Sequence, residues 1–178
     1  MFTTEEACLV VVDVQGKLAT IVDESEAVIE NVAKLVQAMQ ALEIPILWLE
    51  QNPNRLGGTA LDIAQHLQGQ AIAKMAFSAC QEQEFVDALK ASGRTQFIVT
   101  GIETHICVYQ TARQLKEQGL EVEVVVDAVS SRTKANKEIG LEKMKALGIL
   151  PTSTEMILYE LLQHADHPHF KTVLQLVK

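Results

Sequence analysis

The chain has 178 residues, of which 48% are hydrophobic and 21% charged, the composition of an ordinary globular protein. Its formal net charge of −8 argues against nucleic acid and anionic membranes as partners, because proteins that bind them are basic over the contact surface. The longest apolar run, residues 7–12, is far shorter than the roughly 18 residues that span a bilayer, and the acidic N-terminal segment is unlike a signal peptide.

Short apolar runs alternate with longer amphipathic segments along the whole chain. Strands are predicted at 7–12, 45–49, 71–73, 97–100 and 121–126, with a last one beginning at 149–150. Helices are predicted at 28–42, 60–67, 82–91, 105–118, 135–147, 154–164 and 168–178, with Thr104 and Ser153 as N-caps and 50–59 as a loop. This alternation predicts one α/β domain over residues 1–178, with a parallel sheet covered by helices on both faces.

Ligands of such sheets bind at the carboxyl ends of the strands, where the strand order reverses. The residues that follow the predicted strands are therefore the first candidates for a functional site. They are Asp13, Glu50, Lys74, the segment 101–107 and Asp127.

Three of these residues have the chemistry of a nucleophilic site. Asp13 directly follows an apolar strand, where burial would raise the pKa of its carboxyl toward that of a general base. Cys107 lies near the start of a helix, whose backbone N–H groups stabilise a thiolate and an oxyanion. Lys74 lies among apolar residues, where its ammonium group is expected to pair with a carboxylate. The alternatives are a carboxylate that caps a loop, a cysteine that serves as a small hydrophobic residue and a solvated lysine.

The other cysteines and the histidines have simpler interpretations. Cys8 lies within an apolar strand and Cys80 has no basic residue nearby, so both are interpreted as structural. Three scattered cysteines make no disulfide framework and favour a reducing, cytoplasmic setting. The residues His164, Asp166, His167 and His169 are contiguous and polar, which favours a solvated turn over a metal site.

Three segments carry a resemblance to the isochorismatase-like cysteine hydrolases. They are Val-Val-Asp-Val-Gln at 11–15, Lys-Met-Ala-Phe-Ser at 74–78 and Gly-Ile-Glu-Thr-His-Ile-Cys-Val-Tyr-Gln-Thr-Ala at 101–112. Residues 50–59, 127–132 and 166–170 further resemble the isochorismatase-domain-containing subgroup. The resemblance implies a three-layer α/β sandwich with a six-stranded parallel sheet.

The resemblance also implies a catalytic triad of Asp13, Lys74 and Cys107. A cis peptide bond would join Ile102 to Glu103, and the N–H groups of Glu103 and Cys107 would point at one oxyanion. Cys107 would attack a small amide or a related carbon–nitrogen or ester bond. The superfamily also implies homo-oligomers, to which the apolar tail with Phe170, Val173, Leu174 and Val177 is expected to contribute.

The chain departs from the nicotinamidase branch, which carries an Asp-x-His metal pair after the second strand. Here the sequence is Leu49-Glu50-Gln51-Asn52, so we expect neither a metal nor another cofactor. Glu103 adds a carboxylate that would either repel acidic substrates or turn away to bond the backbone. Gln15, Gln51, Phe77 and His105 are expected to line the substrate pocket. Two alternatives remain, hydrolysis of the vinyl ether of isochorismate and an oligomeric binding protein with a vestigial triad.

Overall fold

The computed structural model describes residues 1–178 and contains one sheet of six strands, all parallel. The strands are β1 (Ala7–Val12), β2 (Ile46–Gln51), β3 (Ile72–Lys74), β4 (Gln96–Ile102), β5 (Glu121–Ser130) and β6 (Leu150–Thr152). Their order across the sheet is β3-β2-β1-β4-β5-β6. The six-stranded parallel sheet expected from the sequence is therefore confirmed.

Helices cover both faces of the sheet. They are α1 (Leu18–Ile21), α2 (Ser25–Ala41), α3 (Pro53–Leu56), α4 (Leu61–Ala64), α5 (Gln83–Ser92), α6 (Tyr109–Glu117), α7 (Lys134–Ala146), α8 (Thr154–Leu162) and α9 (Phe170–Val177). Residues of α2, α8 and α9 share one hydrophobic core, and residues of α5, α6 and α7 share the other. The result is a three-layer sandwich, because each face of a buried parallel sheet needs an apolar cover.

Strand β1 supplies both cores in alternation, which explains its uninterrupted apolar sequence. Leu9 and Val11 belong to the core under α2, whereas Val10 and Val12 belong to the core under α5 and α6. All six residues of the strand are buried. Because β1 lies between β2 and β4, its carboxyl end opens at the point where the strand order reverses.

Two segments differ from the sequence expectations. The predicted loop 50–59 contains the last two residues of β2 and the short helix α3, which begins with Pro53 at a position where proline is well tolerated. Strand β5 continues past residue 126 to Ser130. Asp127 consequently lies within a strand, where its Oδ1 accepts hydrogen bonds from the backbone N–H and the hydroxyl of Thr154. Asp127 thus fixes the start of α8.

The C-terminal segment packs on its own chain. Val173 is fully buried in the core under α2, and Phe170 packs edge to face on Tyr159 with ring centroids 6.2 Å apart. Val177 is half-buried against the same core. The apolar face of this tail is therefore largely used within the fold, and its contribution to contacts between subunits stays a prediction.

Candidate active site

Asp13 and Lys74 form a buried ion pair at the carboxyl edge of the sheet. Asp13 follows β1, Lys74 is the last residue of β3, and Asp13 Oδ2 lies 2.8 Å from Lys74 Nζ. Both side chains are almost completely buried. Strands β1 and β3 are not adjacent, since β2 lies between them. The long lysine side chain crosses that gap.

The ammonium group of Lys74 is also held by neutral oxygens. It donates hydrogen bonds to the backbone carbonyls of Ala76 and Phe77, each at 3.1 Å, and to Oε1 of Gln51. The turn that follows β3 therefore folds back around the ammonium. Glu82 fixes this turn by accepting the N–H groups of Met75 and Ala76 at 2.8 and 2.9 Å.

The carboxylate of Asp13 keeps accepting capacity for a reacting group. Both of its oxygens are buried, and the ion pair with Lys74 engages Oδ2 and leaves Oδ1 without a strong partner. Burial raises the pKa of the Asp13 carboxyl above its usual range, although the Lys74 ammonium opposes the increase. Such a carboxyl is suited to accept and return a proton.

Cys107 is buried beside this ion pair. Burial, followed by the negative charge of Asp13, raises the pKa of its thiol to about 12, while the charge of Lys74 acts in the opposite direction. The resting group is therefore a neutral thiol. A nucleophile forms at this position only when a base takes the thiol proton, and the carboxylate of Asp13 is near enough to influence that proton directly.

Cys107 lies in a π-helical turn, Thr104–Val108, and not in the first turn of an α-helix. Helix α6 begins only at Tyr109. The expectation that Thr104 caps a helix over 105–118 is wrong, because its hydroxyl is buried and has no hydrogen-bond partner. The wider π-helical turn is not visible in a periodicity of about 3.6 residues. Turns of this kind occur frequently at functional sites.

The segment before Cys107 presents a free backbone donor. The peptide bond between Ile102 and Glu103 is cis, and the N–H of Glu103 donates no hydrogen bond within the chain. The carbonyl of Glu103 accepts the N–H groups of Ile106 and Val108 at 3.0 and 3.3 Å, which holds the turn closed. The free N–H of Glu103 is thus available to a developing oxyanion.

The side chain of Glu103 turns toward the loop after β5. Its Oε2 accepts the backbone N–H of Arg132 at 2.9 Å and the guanidinium Nε at 3.1 Å. The neighbouring Nδ1 of His105 lies 2.9 Å from the hydroxyl of Ser131. These contacts fasten the turn that carries Cys107 to residues 131–132.

The four residues expected to line the pocket have different surroundings. Gln15 is buried, and its amide donates to the carbonyls of Gln51 and Gly57 at 3.0 and 2.7 Å, so both of its N–H groups are used by the backbone. Gln51 contacts Lys74 and donates to the carbonyl of Met75. His105 contacts Ser131, as described above. Phe77 is 56% exposed beside the enclosed Lys74 and is the one with a large free surface.

Sequence reasoning missed two contributors to this site. Glu82 lies in the segment between β3 and α5 and nothing in its local pattern indicates that it caps the Lys74 turn. Gly140 in α7 packs against the turn that carries Cys107, since a Cβ at this position would lie 2.9 Å from the Cα of His105. A glycine within a predicted amphipathic helix was the available signal, because it is unfavourable there without a packing reason.

The remaining cysteines lie apart from the ion pair. Burial raises the pKa of Cys8 to about 12 and that of Cys80 to about 11.

No three His, Cys, Asp or Glu side chains are close enough together to hold a metal ion, including those of residues 164–169. No helix is both long and apolar enough to cross a membrane.

Comparisons with known proteins define the class. The isochorismatase domain model matches residues 7–156. Isochorismatase domain-containing protein 2 of Danio rerio is 35% identical over 98% of this chain and 88% of its own length. The solved structure of MAR1 ribonuclease from Caenorhabditis elegans matches 99% of this chain and 91% of its own with a TM-score of 0.93 and 34% identity.

A third match shows the fold at lower identity. The YcaC gene product of Escherichia coli, described as an octameric hydrolase of unknown specificity, is 22% identical with a TM-score of 0.91 and is matched over 98% of this chain and 89% of its own. The fold and the matched domain together define the class of isochorismatase-like proteins with a three-layer α/β fold. This chain belongs to the isochorismatase family.

Proposed function

We propose that this protein is a cysteine hydrolase that cleaves a small amide or a related carbon–nitrogen or ester bond. The observation that carries the proposal is the buried Asp13–Lys74 pair, 2.8 Å apart, beside a neutral buried thiol at Cys107. A purely structural ion pair would not need a buried carboxylate with one oxygen, Oδ1, left without a strong partner, since such atoms are costly to bury.

In the first half-reaction, Asp13 takes the thiol proton as the sulfur of Cys107 attacks the substrate carbonyl carbon. The carbonyl oxygen gains negative charge and is stabilised by backbone donors, among them the free N–H of Glu103. The tetrahedral species collapses to a thioester when the carbon–nitrogen bond breaks. Asp13 gives its proton to the leaving amine, which departs neutral.

In the second half-reaction, Asp13 takes a proton from a water molecule that attacks the thioester carbon. The carbon–sulfur bond breaks, the sulfur regains a proton from Asp13, and the carboxylic acid leaves. Lys74 keeps the carboxylate in place and balances its charge in both halves. The ion pair thereby lets one carboxyl alternate between base and acid without an uncompensated buried charge.

A rapid acid quench of the protein with a panel of small amides and esters tests this proposal. We expect a mass increase that equals the acyl group and maps to Cys107. The Cys107→Ala variant should show neither the adduct nor turnover, whereas Cys80→Ala, which removes a half-buried thiol, should retain both. The absence of an adduct on Cys107 during measurable turnover would contradict the mechanism.

The same variants separate the alternatives. Hydrolysis of a vinyl ether needs no acyl-enzyme and would survive Cys107→Ala, and a binding protein would turn over no member of the panel.

The Caenorhabditis elegans neighbour is described as a ribonuclease. The net charge of −8 opposes RNA binding by this chain. RNA that remains intact after incubation with the active protein would agree with that argument.

A further inference from the structure

The turn that carries Cys107 is paired with an exposed cation, Arg132, whose charge is already balanced. The side chain of Arg132 is 56% exposed, while that of Glu103, which it contacts through Nε, is 7% exposed. Two of the contacts of Glu103 are made to this one residue, through its backbone N–H and its guanidinium. The buried carboxylate of Glu103 therefore contacts the exposed guanidinium of Arg132 and balances its positive charge.

The other charges near Cys107 are balanced as well or are negative. Lys74 is paired with Asp13 and is enclosed. Glu82 adds a carboxylate at the turn after β3, where its partners are backbone N–H groups and not a cation. Neither Lys74 nor Arg132 is thus left unpaired to meet a negatively charged substrate.

The accessible surface beside the enclosed lysine is apolar. Met75 is 70% exposed and Phe77 is 56% exposed, and both belong to the turn that wraps the ammonium of Lys74. A neutral substituent can lie against such a surface without losing strong hydration, whereas a carboxylate would be desolvated there without a partner.

From these contacts we infer that the substrate is an uncharged amide with a small apolar substituent, an inference that rests on the proposed function. We assign the exclusion of anionic substrates to the side chain of Glu103. This side chain excludes them by neutralising Arg132. The side chain of Glu103 thus controls which substrates bind by balancing the charge of Arg132, while its backbone N–H is free to donate a hydrogen bond to the oxyanion.

Alkylation of Cys107 by two probes of nearly equal size measures this selection without any turnover. Iodoacetamide is neutral and iodoacetate is an anion. The rate of each on the Cys107 peptide is followed by mass spectrometry at about pH 9, where more of the thiol is ionised than at neutral pH, and divided by its rate on 2-mercaptoethanol. We expect the normalised ratio of iodoacetamide to iodoacetate to be about fivefold or more in the unaltered protein.

Variants of the ion pair supply matched controls. Glu103→Gln leaves the charge of Arg132 unbalanced, so the ratio should fall to about one or below. Arg132→Gln leaves a net carboxylate and should increase the ratio, and because this side chain is exposed, the variant is expected to fold. The double variant Glu103→Gln, Arg132→Gln is neutral and should return the ratio toward that of the unaltered protein.

The results separate this inference from the proposed function. A ratio near or below one in the unaltered protein, or a ratio that Arg132→Gln and Glu103→Gln leave unchanged, overturns the inference. In the turnover assay, butyramide is compared with succinamic acid, which adds a carboxylate. Faster acylation by succinamic acid overturns the inference but leaves the cysteine mechanism standing, whereas no acylation by any neutral amide or ester overturns the proposed function.

Discussion

Gly101 lies directly against the backbone of Val12, the residue that precedes Asp13. A Cβ at Gly101 would lie 2.0 Å from the carbonyl oxygen of Val12, and the φ of this glycine is +112°. The two residues are register partners in the central strands β1 and β4. Only a residue without a side chain allows these two strands to bring Asp13 close to the turn that carries Cys107.

Gly101→Ala is therefore expected to lower the free energy of unfolding by several kcal/mol and to reduce acylation of Cys107. Gly119→Ala is the matched control, since Gly119 also has a positive φ of +83° but no atom within 4 Å of its Cβ position. That variant should lose only about 1 kcal/mol, the cost of the backbone conformation. Urea unfolding measures both. Equal losses in the two variants would show that the contact with Val12 is unimportant.

The buried ion pair predicts an unequal response to single and double substitutions. Lys74→Met leaves the carboxylate of Asp13 buried without a partner and should destabilise the fold by about 3–5 kcal/mol. Adding Asp13→Asn removes that charge and should recover part of the loss, as measured by urea unfolding. Activity should be lost in Lys74→Met, in Asp13→Asn and in the double variant alike, because members of a catalytic unit do not act additively. A double variant less stable than Lys74→Met would contradict the ion-pair explanation.

Helix α7 is expected to control the position of Cys107 through Gly140. In Gly140→Ala the new Cβ meets the backbone of His105 and Thr104 at 2.9 to 3.1 Å. Alanine favours a helix by about 1 kcal/mol over glycine, which offsets part of the strain. Acylation of Cys107 should therefore fall about tenfold or more with a smaller change in stability. Lys145→Ala, an exposed position of the same helix, is the control, and similar kinetics in the two variants would contradict this role.

The buried thiols predict a loss of stability in alkaline solution. Burial raises the pKa of Cys8 from 9.0 to about 12, so the folded protein holds this proton more tightly than the unfolded chain. The stabilisation is complete below about pH 9 and is lost as the pH increases toward 12. Cys8→Ala should reduce the slope of unfolding free energy against pH in this range by up to about 1.4 kcal/mol per pH unit. An unchanged slope, measured by urea unfolding in a pH series, would contradict the prediction.

Assembly into homo-oligomers remains a prediction, and most of the apolar face of the C-terminal tail already packs on its own chain. Large apolar side chains are also exposed elsewhere, including Leu61, Leu150 and Met156. Such surface is unfavourable in water and is typical of contacts between subunits. We expect at least a dimer in light scattering at micromolar concentration. A monomer would contradict this expectation.

The central architecture could be predicted because each strand carries its own signal. The run before Asp13 is apolar on both faces, and glycines such as Gly93 and Gly148 mark helix ends with positive φ values. The choice of the residues that follow β1, β3 and β4 as candidates follows from the rule that ligands bind at strand ends. These features are local, so a single sequence contains enough information to find them.

The surroundings of the site could not be predicted, since they depend on contacts between distant segments. The hydrogen bonds from Lys74 to the carbonyls of Ala76 and Phe77 require a turn whose geometry no residue pattern encodes. The pairing of Glu103 with Arg132 joins two loops that only the sheet brings together. Asp127 failed as a site residue because strand ends inferred from apolar runs stop too early where a polar residue continues the strand.

The position of β1 has a consequence for how the chain reaches its native state. This first strand lies inside the sheet, and its pairing with β4 joins Ala7 to Gln96 and Val12 to Gly101. One of its edges thus stays open until β4 has been synthesised. Pairings so distant in sequence slow folding and leave an apolar strand edge available to other nascent chains. The protein is therefore expected to depend on chaperones during synthesis more than its native stability would indicate.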